Sequence, residues 1–172
     1  VEAGQLSEEL TMPSSPGDWL LLGASLVLTF VAAAIGGVVT ARPVRTWYGT
    51  IRKPAWNPPD WLFGPVWTVL YILMGLALWR VWRVGWDQPG VRLPVILFLV
   101  QLVLNVLWSV IFFGLRRINW AVVEIVLLWC FLLATMIAFF AVEPLAGWLL
   151  VPYLAWVTFA GVLNFTVWQL NR

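Results

Sequence analysis

The chain has no histidine, one cysteine and few charges. Each shortage removes a class of function. Without histidine there is no Ser-His or Cys-His nucleophile pair, and the commonest axial haem ligand and a common zinc ligand are gone. With Cys130 as the lone cysteine, no intrachain disulfide can form. It lies mid-segment in apolar surroundings, where a thiol is inert. Charged residues are 10% of the 172, against about a quarter in a soluble domain. A net charge of +2 gives no case for nucleic acid. Glycine-rich phosphate loops, zinc-protease motifs and nucleophile elbows are all missing.

What remains is apolar and aromatic. Hydrophobic residues make up 62% of the chain and tryptophan alone contributes 14 positions. The mean hydropathy is +0.91. Five uncharged or nearly uncharged runs stand out: Trp19–Ala41, Trp61–Trp79, Leu93–Leu115, Ile118–Val142 (broken only by Glu124) and Pro144–Asn171. Each reaches the roughly 20 residues that a helix needs to cross about 30 Å of hydrocarbon. A backbone in lipid must satisfy its own hydrogen bonds, and strand alternation is absent, so the runs read as helices. The fold expected is an all-α integral membrane bundle of five helices over residues 19–172. Residues 1–18 carry four of the eight acids and no Lys or Arg, and read as a flexible acidic tail.

With five spans, the first loop, the third loop and the C-terminus share one side. They hold Arg42, Arg45, Arg52, Lys53, Arg116, Arg117 and Arg172, against Arg80, Arg83 and Arg92 opposite. The positive-inside rule then puts the C-terminus in the cytoplasm and the N-terminus outside. Tryptophans near span ends (19, 61, 79, 82, 86, 120, 148 and 168) read as an interfacial aromatic belt.

Other aromatics fall into stripes at helical spacing. Trp67, Tyr71, Met74 and Leu78 share a face of the second helix. Gln101, Asn105, Trp108 and Phe112 share a face of the third. Trp156, Ala160, Leu163 and Val167 form a stripe on the fifth, with Asn164 beside it. Mid-span amides are costly against lipid, so the third stripe faces either a pocket or helix neighbours that it bonds as glue. Glu124 reads first as an interfacial partner of Arg116, Arg117 or a nearby polar group, and second as a functional carboxylate. Small residues on the first, fourth and fifth helices allow close packing, within the bundle or in a homodimer.

The first loop is the most distinctive segment. Lys53-Pro54-Ala55-Trp56-Asn57-Pro58-Pro59-Asp60-Trp61 packs three prolines into six residues, which forbids a regular helix. Pro54, Trp56, Pro58, Pro59 and Trp61 thus make a stiff aromatic surface or lid. This motif, with Trp47-Tyr48, Gly64-Pro65-Val66-Trp67, Gln101-Leu102-x-Leu104-Asn105-x-x-Trp108, Phe112-Phe113-Gly114, Pro152-Tyr153-Leu154-Ala155-Trp156 and Leu163-Asn164, resembles the translocator protein family of tryptophan-rich sensory proteins. The likeness runs from about Trp19 to Trp168.

The resemblance implies a bundle pocket closed by the first loop. It implies ligands such as porphyrins, sterols and isoquinoline carboxamides, and in some bacterial members a light-dependent breakdown of protoporphyrin. It places Trp67, Trp156, Asn105 and Trp108 in the pocket, Trp47 and Tyr48 at the lid, and Ala160 and Leu163 on the fifth-helix wall. Tyr71, Gln101, Phe112 and Asn164 complete the expected ligand-binding set. For an enzyme, Trp67 and Trp156 would be the redox partners. Animal members carry tyrosine and arginine after Leu-Asn in a sterol-recognition stretch. Here Phe165-Thr166-Val167-Trp168-Gln169 supplies neither, although Val44, Tyr48 and Arg52 form a nominal sterol pattern.

The residues themselves lead to a similar reading. Indole faces stack on a flat tetrapyrrole, amides bond its polar edges, and Arg45, Arg52 and Lys53 attract its carboxylates. The expected partner is a porphyrin or other hydrophobic small molecule, with lipid or sterol as further candidates. No cofactor or metal site is expected, and without histidine a metal-free ring is preferred. A receptor, a porphyrin-degrading enzyme and a transporter are the three functional alternatives.

Overall fold

The computed structural model describes residue 13 and residues 15–172. Residues 1–12 and 14 of the expected acidic tail lie outside the described residues. Five helices follow: α1 (Pro16–Pro43), α2 (Asp60–Trp82), α3 (Arg92–Ser109), α4 (Ile118–Val142) and α5 (Pro144–Leu170). α1 and α3 run on into π-helical turns, Val44–Tyr48 and Val110–Gly114. All five are long and apolar enough to cross a membrane. The chain is an integral, multi-pass membrane protein, and no strand occurs among the described residues.

Local chemistry sets the ends. α1 begins three residues before the expected Trp19, because Ser15 caps it: the Asp18 N–H donates to Ser15 Oγ at 3.2 Å. Pro16 occupies the first turn, where its missing N–H costs nothing. α5 starts the same way, with Pro144 after Glu143, whose carboxylate accepts the Ala146 N–H at 2.6 Å. The same carboxylate takes a forked pair from Arg80 at 2.9 and 3.1 Å, which ties the end of α2 to the α4–α5 turn.

The helices close into a ring in the order α1, α2, α5, α4, α3, with α3 back against α1. Alternate directions put the C-terminal ends of α1, α3 and α5 beside the start of α2 and α4. Gly75 brings α1 and α2 together. A Cβ there would stand 2.7 Å from Leu26 Cδ2 and 3.3 Å from Leu26 Cα. Ala32 and Gly36, from the small-residue stripe of α1, are buried within the bundle, and Gly36 faces Ser109 of α3.

Two expectations need correction. Trp79 does not join the interfacial belt; it is 5% exposed and the Arg83 guanidinium lies 5.1 Å above its ring. Trp19, Trp61, Trp120 and Trp148 are exposed as a belt requires. Glu124 is not an interfacial ion-pair partner. It is 6% exposed, and neither carboxylate oxygen meets a hydrogen-bond donor among the described residues. Six residues into α4, it sits about 9 Å below the helix start. Arg116 and Arg117 are exposed on the loop above.

Candidate ligand cavity

A cavity of about 590 Å³ lies in the half of the bundle nearest the α1–α2 loop. The late turns of α1, α3 and α5 and the first turns of α2 enclose it, and α4 contributes no lining residue. Both π-helical turns belong to its wall. Pro43 has no N–H to continue the α-helical ladder, and the backbone beyond it winds more widely. That turn presents Val44, Arg45 and Tyr48. At the end of α3 the Leu115 N–H donates to Val110 O, five residues back, at 2.8 Å. This widened turn presents both Phe112 and Phe113. Such turns interrupt the 3.6-residue period and commonly mark functional sites.

The wall is aromatic. Trp108 stacks on Phe112 with centroids 5.2 Å apart. Trp67 leans on Tyr71 at 5.6 Å and meets Tyr153 edge-on at 6.2 Å. Trp156 meets Phe63 at 5.9 Å and Phe159 at 5.5 Å. Polar atoms are sparse, and Trp108, Asn164 and Tyr71 have theirs engaged. The Trp108 indole N–H donates to Asn164 Oδ1 at 3.0 Å, and Asn164 Nδ2 donates to Ile118 O at 3.4 Å. Below, the Tyr71 hydroxyl donates to Asn105 Oδ1 at 2.6 Å, and Asn105 Nδ2 donates to the Tyr153 hydroxyl at 2.8 Å. This buried chain joins α2, α3 and α5 directly under the cavity. Arg45 and Asp60, both exposed, bring one charge of each sign to the rim.

The cavity also has a flank. Phe30 and Gly37 of α1 and Gly64 and Thr68 of α2 line it and are themselves exposed. It therefore opens sideways between α1 and α2. The two helices are pinned at Gly75 and spread toward the loop.

The loop Gly49–Pro59 carries no lining residue, and lies between two that do, Tyr48 and Asp60. Four contacts hold it across the bundle end. The Tyr48 hydroxyl donates to Asn57 Oδ1 at 2.8 Å, and Lys53 Nζ sits 4.4 Å above the Tyr48 ring. Trp56 packs edge-on against Phe159 at 5.9 Å. Asn171, just past α5, pairs with the Arg52 backbone in both directions: it accepts the Arg52 N–H at 3.0 Å and donates to Arg52 O at 2.8 Å. Pro54 lies between these anchors, Pro58 and Pro59 run from the last of them to α2, and Trp61 points outward, 72% exposed.

Of the residues expected to bind ligand, Tyr48, Trp67, Tyr71, Trp108, Phe112, Trp156, Ala160, Leu163 and Asn164 line this one cavity. Trp47, Gln101 and Asn105 do not. Trp47 packs on the edge of Phe112 outside the lining. Asn105 lies one hydrogen bond below it, behind Tyr71. Gln101 is fully buried a further turn down, with no hydrogen-bond partner among the described residues. The α1 wall, including Ala33, Gly37 and Ala41, is missing from the expected set. Its small residues were legible in the sequence, but as a packing stripe. Where a neighbour is absent, the same stripe leaves space.

Fold and cavity define an α-helical membrane protein with an aromatic chamber at the basic end of a five-helix ring. The TspO/MBR family model matches residues 25–169, and the chain belongs to that family. A tryptophan-rich protein TspO of Chlorobaculum tepidum is 49% identical over 152 residues, covering 88% of this chain and 96% of that protein. Protein CrtK of Rhodobacter capsulatus is 43% identical over 143 residues, covering 83% and 89%. The human translocator protein is 42% identical over 148 residues, covering 83% and 87%.

Proposed function

We propose that the chain is a membrane receptor for tetrapyrroles and similar flat hydrophobic ligands, held in the aromatic cavity beneath the first loop. The observation that carries this reading is the cavity itself: about 590 Å³, walled by Trp67, Trp108, Phe112 and Trp156, with few free polar atoms. That volume falls in the usual range of about 300–1,000 Å³ for small-molecule sites. Indole and phenyl faces favour a flat aromatic ring over a flexible chain. Arg45 at the rim suits a propionate, while Lys53 is engaged over Tyr48. The side opening between α1 and α2 suits a ligand that dissolves in lipid. We read the basic end as cytoplasmic by its excess of Lys and Arg, and the loop as the lid.

A filled cavity tests this directly. Ala160 lines the cavity, so Ala160→Trp should occupy it. Protoporphyrin should quench the tryptophan fluorescence of the parent saturably, and the variant should bind at least tenfold more weakly, about 1.4 kcal/mol. Equal binding by the two proteins would place the ligand elsewhere and refute the assignment.

A photo-oxidative reading also has support, because Trp67 and Trp156 line the same chamber. Trp67→Phe and Trp156→Phe keep an aromatic face but raise the oxidation potential. Porphyrin affinity should change little while light-driven porphyrin loss slows. No loss in the parent, in light or dark, leaves the receptor reading alone.

A further inference from the structure

Charge is divided unevenly between the two ends of the ring. Away from the cavity, Arg80 pairs with Glu143 and Arg92 with Asp87. At the cavity end stand Arg42, Arg45, Arg52, Lys53, Arg116, Arg117 and Arg172, and among the described residues the one surface acid there is Asp60. None of these seven cations forms an ion pair among the described residues.

Three of them converge. Arg116, Arg117 and Arg172 line a hollow of about 330 Å³ with Asn119, Trp168 and Asn171. It shares no residue with the ligand cavity. The turn into α4 builds it. Arg116 adopts a left-handed backbone with φ of 55°. Arg117 takes the N-cap position of α4 and makes no side-chain capping bond. Arg172 reaches back from the end of α5, its guanidinium 5.7 Å above the Trp168 ring. The positive end of the α4 dipole therefore opens among three guanidinium groups. Every charged side chain at the hollow has the same sign, and like charges held together repel.

We propose that this hollow is a phosphate-binding site, filled by the phosphate of an anionic lipid headgroup or by a free phosphate. Guanidinium forks match phosphate oxygens two at a time, which ammonium groups cannot do. The Asn119 side chain adds a neutral polar group. The hollow lies at the start of α4 and the end of α5, two helices long and apolar enough to cross a membrane, and Trp168 supplies the amphipathic ring typical of a membrane interface. Basic pockets between helices in this position bind acidic headgroups.

The test uses the full chain in a neutral detergent and counts bound ligands by native mass spectrometry. Phosphatidylglycerol, phosphatidylcholine and inorganic phosphate are titrated separately. The variant is Arg116→Asn with Arg117→Gln; asparagine suits the positive φ, and both positions are exposed. Arg42→Gln removes a basic residue of the same end that lies outside the hollow. Phosphatidylglycerol should bind the parent more tightly than phosphatidylcholine. At the usual worth of a basic residue near an anionic surface, the double change should weaken it by about thirtyfold. Arg42→Gln should leave it within about threefold of the parent. Inorganic phosphate that binds and is lost with the double change names the free ion as a source. Phosphate that fails to bind, beside a lipid that does, names the headgroup. Equal weakening by Arg42→Gln, or no preference for phosphatidylglycerol and no phosphate binding, overturns the site.

Discussion

Asn105 offers the sharpest test of how this bundle is held together. It is 2% exposed and serves two buried hydroxyl groups at once, Tyr71 (6% exposed) and Tyr153 (fully buried). Asn105→Leu keeps the branched shape and heavy-atom count but removes both bonds and strands both hydroxyls. Hydrogen bonds inside membrane bundles are worth about 0.6 kcal/mol on average and reach about 1.7. A stranded buried polar group costs about 1–3 kcal/mol. Loss of the pair should therefore destabilise the protein by about 1–3 kcal/mol. The decisive comparison is the triple change Asn105→Leu, Tyr71→Phe, Tyr153→Phe. Removing both sides of a bond leaves no group unsatisfied, so the triple variant should be more stable than Asn105→Leu alone. Unfolding in detergent with denaturant, followed by circular dichroism, measures all three proteins. Porphyrin affinity of folded Asn105→Leu should stay within about threefold of the parent, under 1 kcal/mol, because Asn105 stands behind the lining. A single variant as stable as the parent, or a triple variant no better than the single, refutes the argument. A large loss of affinity with unchanged stability would put Asn105 in the cavity after all.

Two further outcomes follow from the geometry. Asn171→Ala frees the Arg52 backbone, and Pro58→Gly with Pro59→Gly adds slack to the same loop; each should speed porphyrin release severalfold in stopped-flow measurements, and unchanged release rates would remove the loop from any lid role. Gly75→Val forces α1 from α2 where Leu26 already touches, so it should cost about 1–3 kcal/mol in the same unfolding assay, and a neutral result would deny the close approach.

Membrane class and span count were open to reading because hydropathy is summed along a segment and needs no knowledge of neighbours. Five uncharged runs could only be spans, and the observed helices differ from them by a few residues at caps such as Ser15 and Asn171. Stripe geometry carried further on α2 and α5, where Trp67, Tyr71, Trp156, Ala160 and Leu163 follow an unbroken helical period into one chamber. It failed where the period breaks or where two inward directions exist. Pro43 was visible, but the wider turn after it, which aims Tyr48 inward, depends on how the chain settles against α3. Asn105 and Trp108 share a stripe, yet the floor of the cavity passes between them, since Tyr71 from another helix closes the space. The small residues of α1 read as packing because nothing local says that α2 spreads away from them. Glu124 read as interfacial because the nearest arginines in sequence are close to it. Tertiary structure turned those arginines outward on the loop and left the carboxylate inside. The order of helices around the ring and the rotation of each about its axis are set by packing between segments distant in sequence. Those two quantities decide what is wall, what is floor and what is glue.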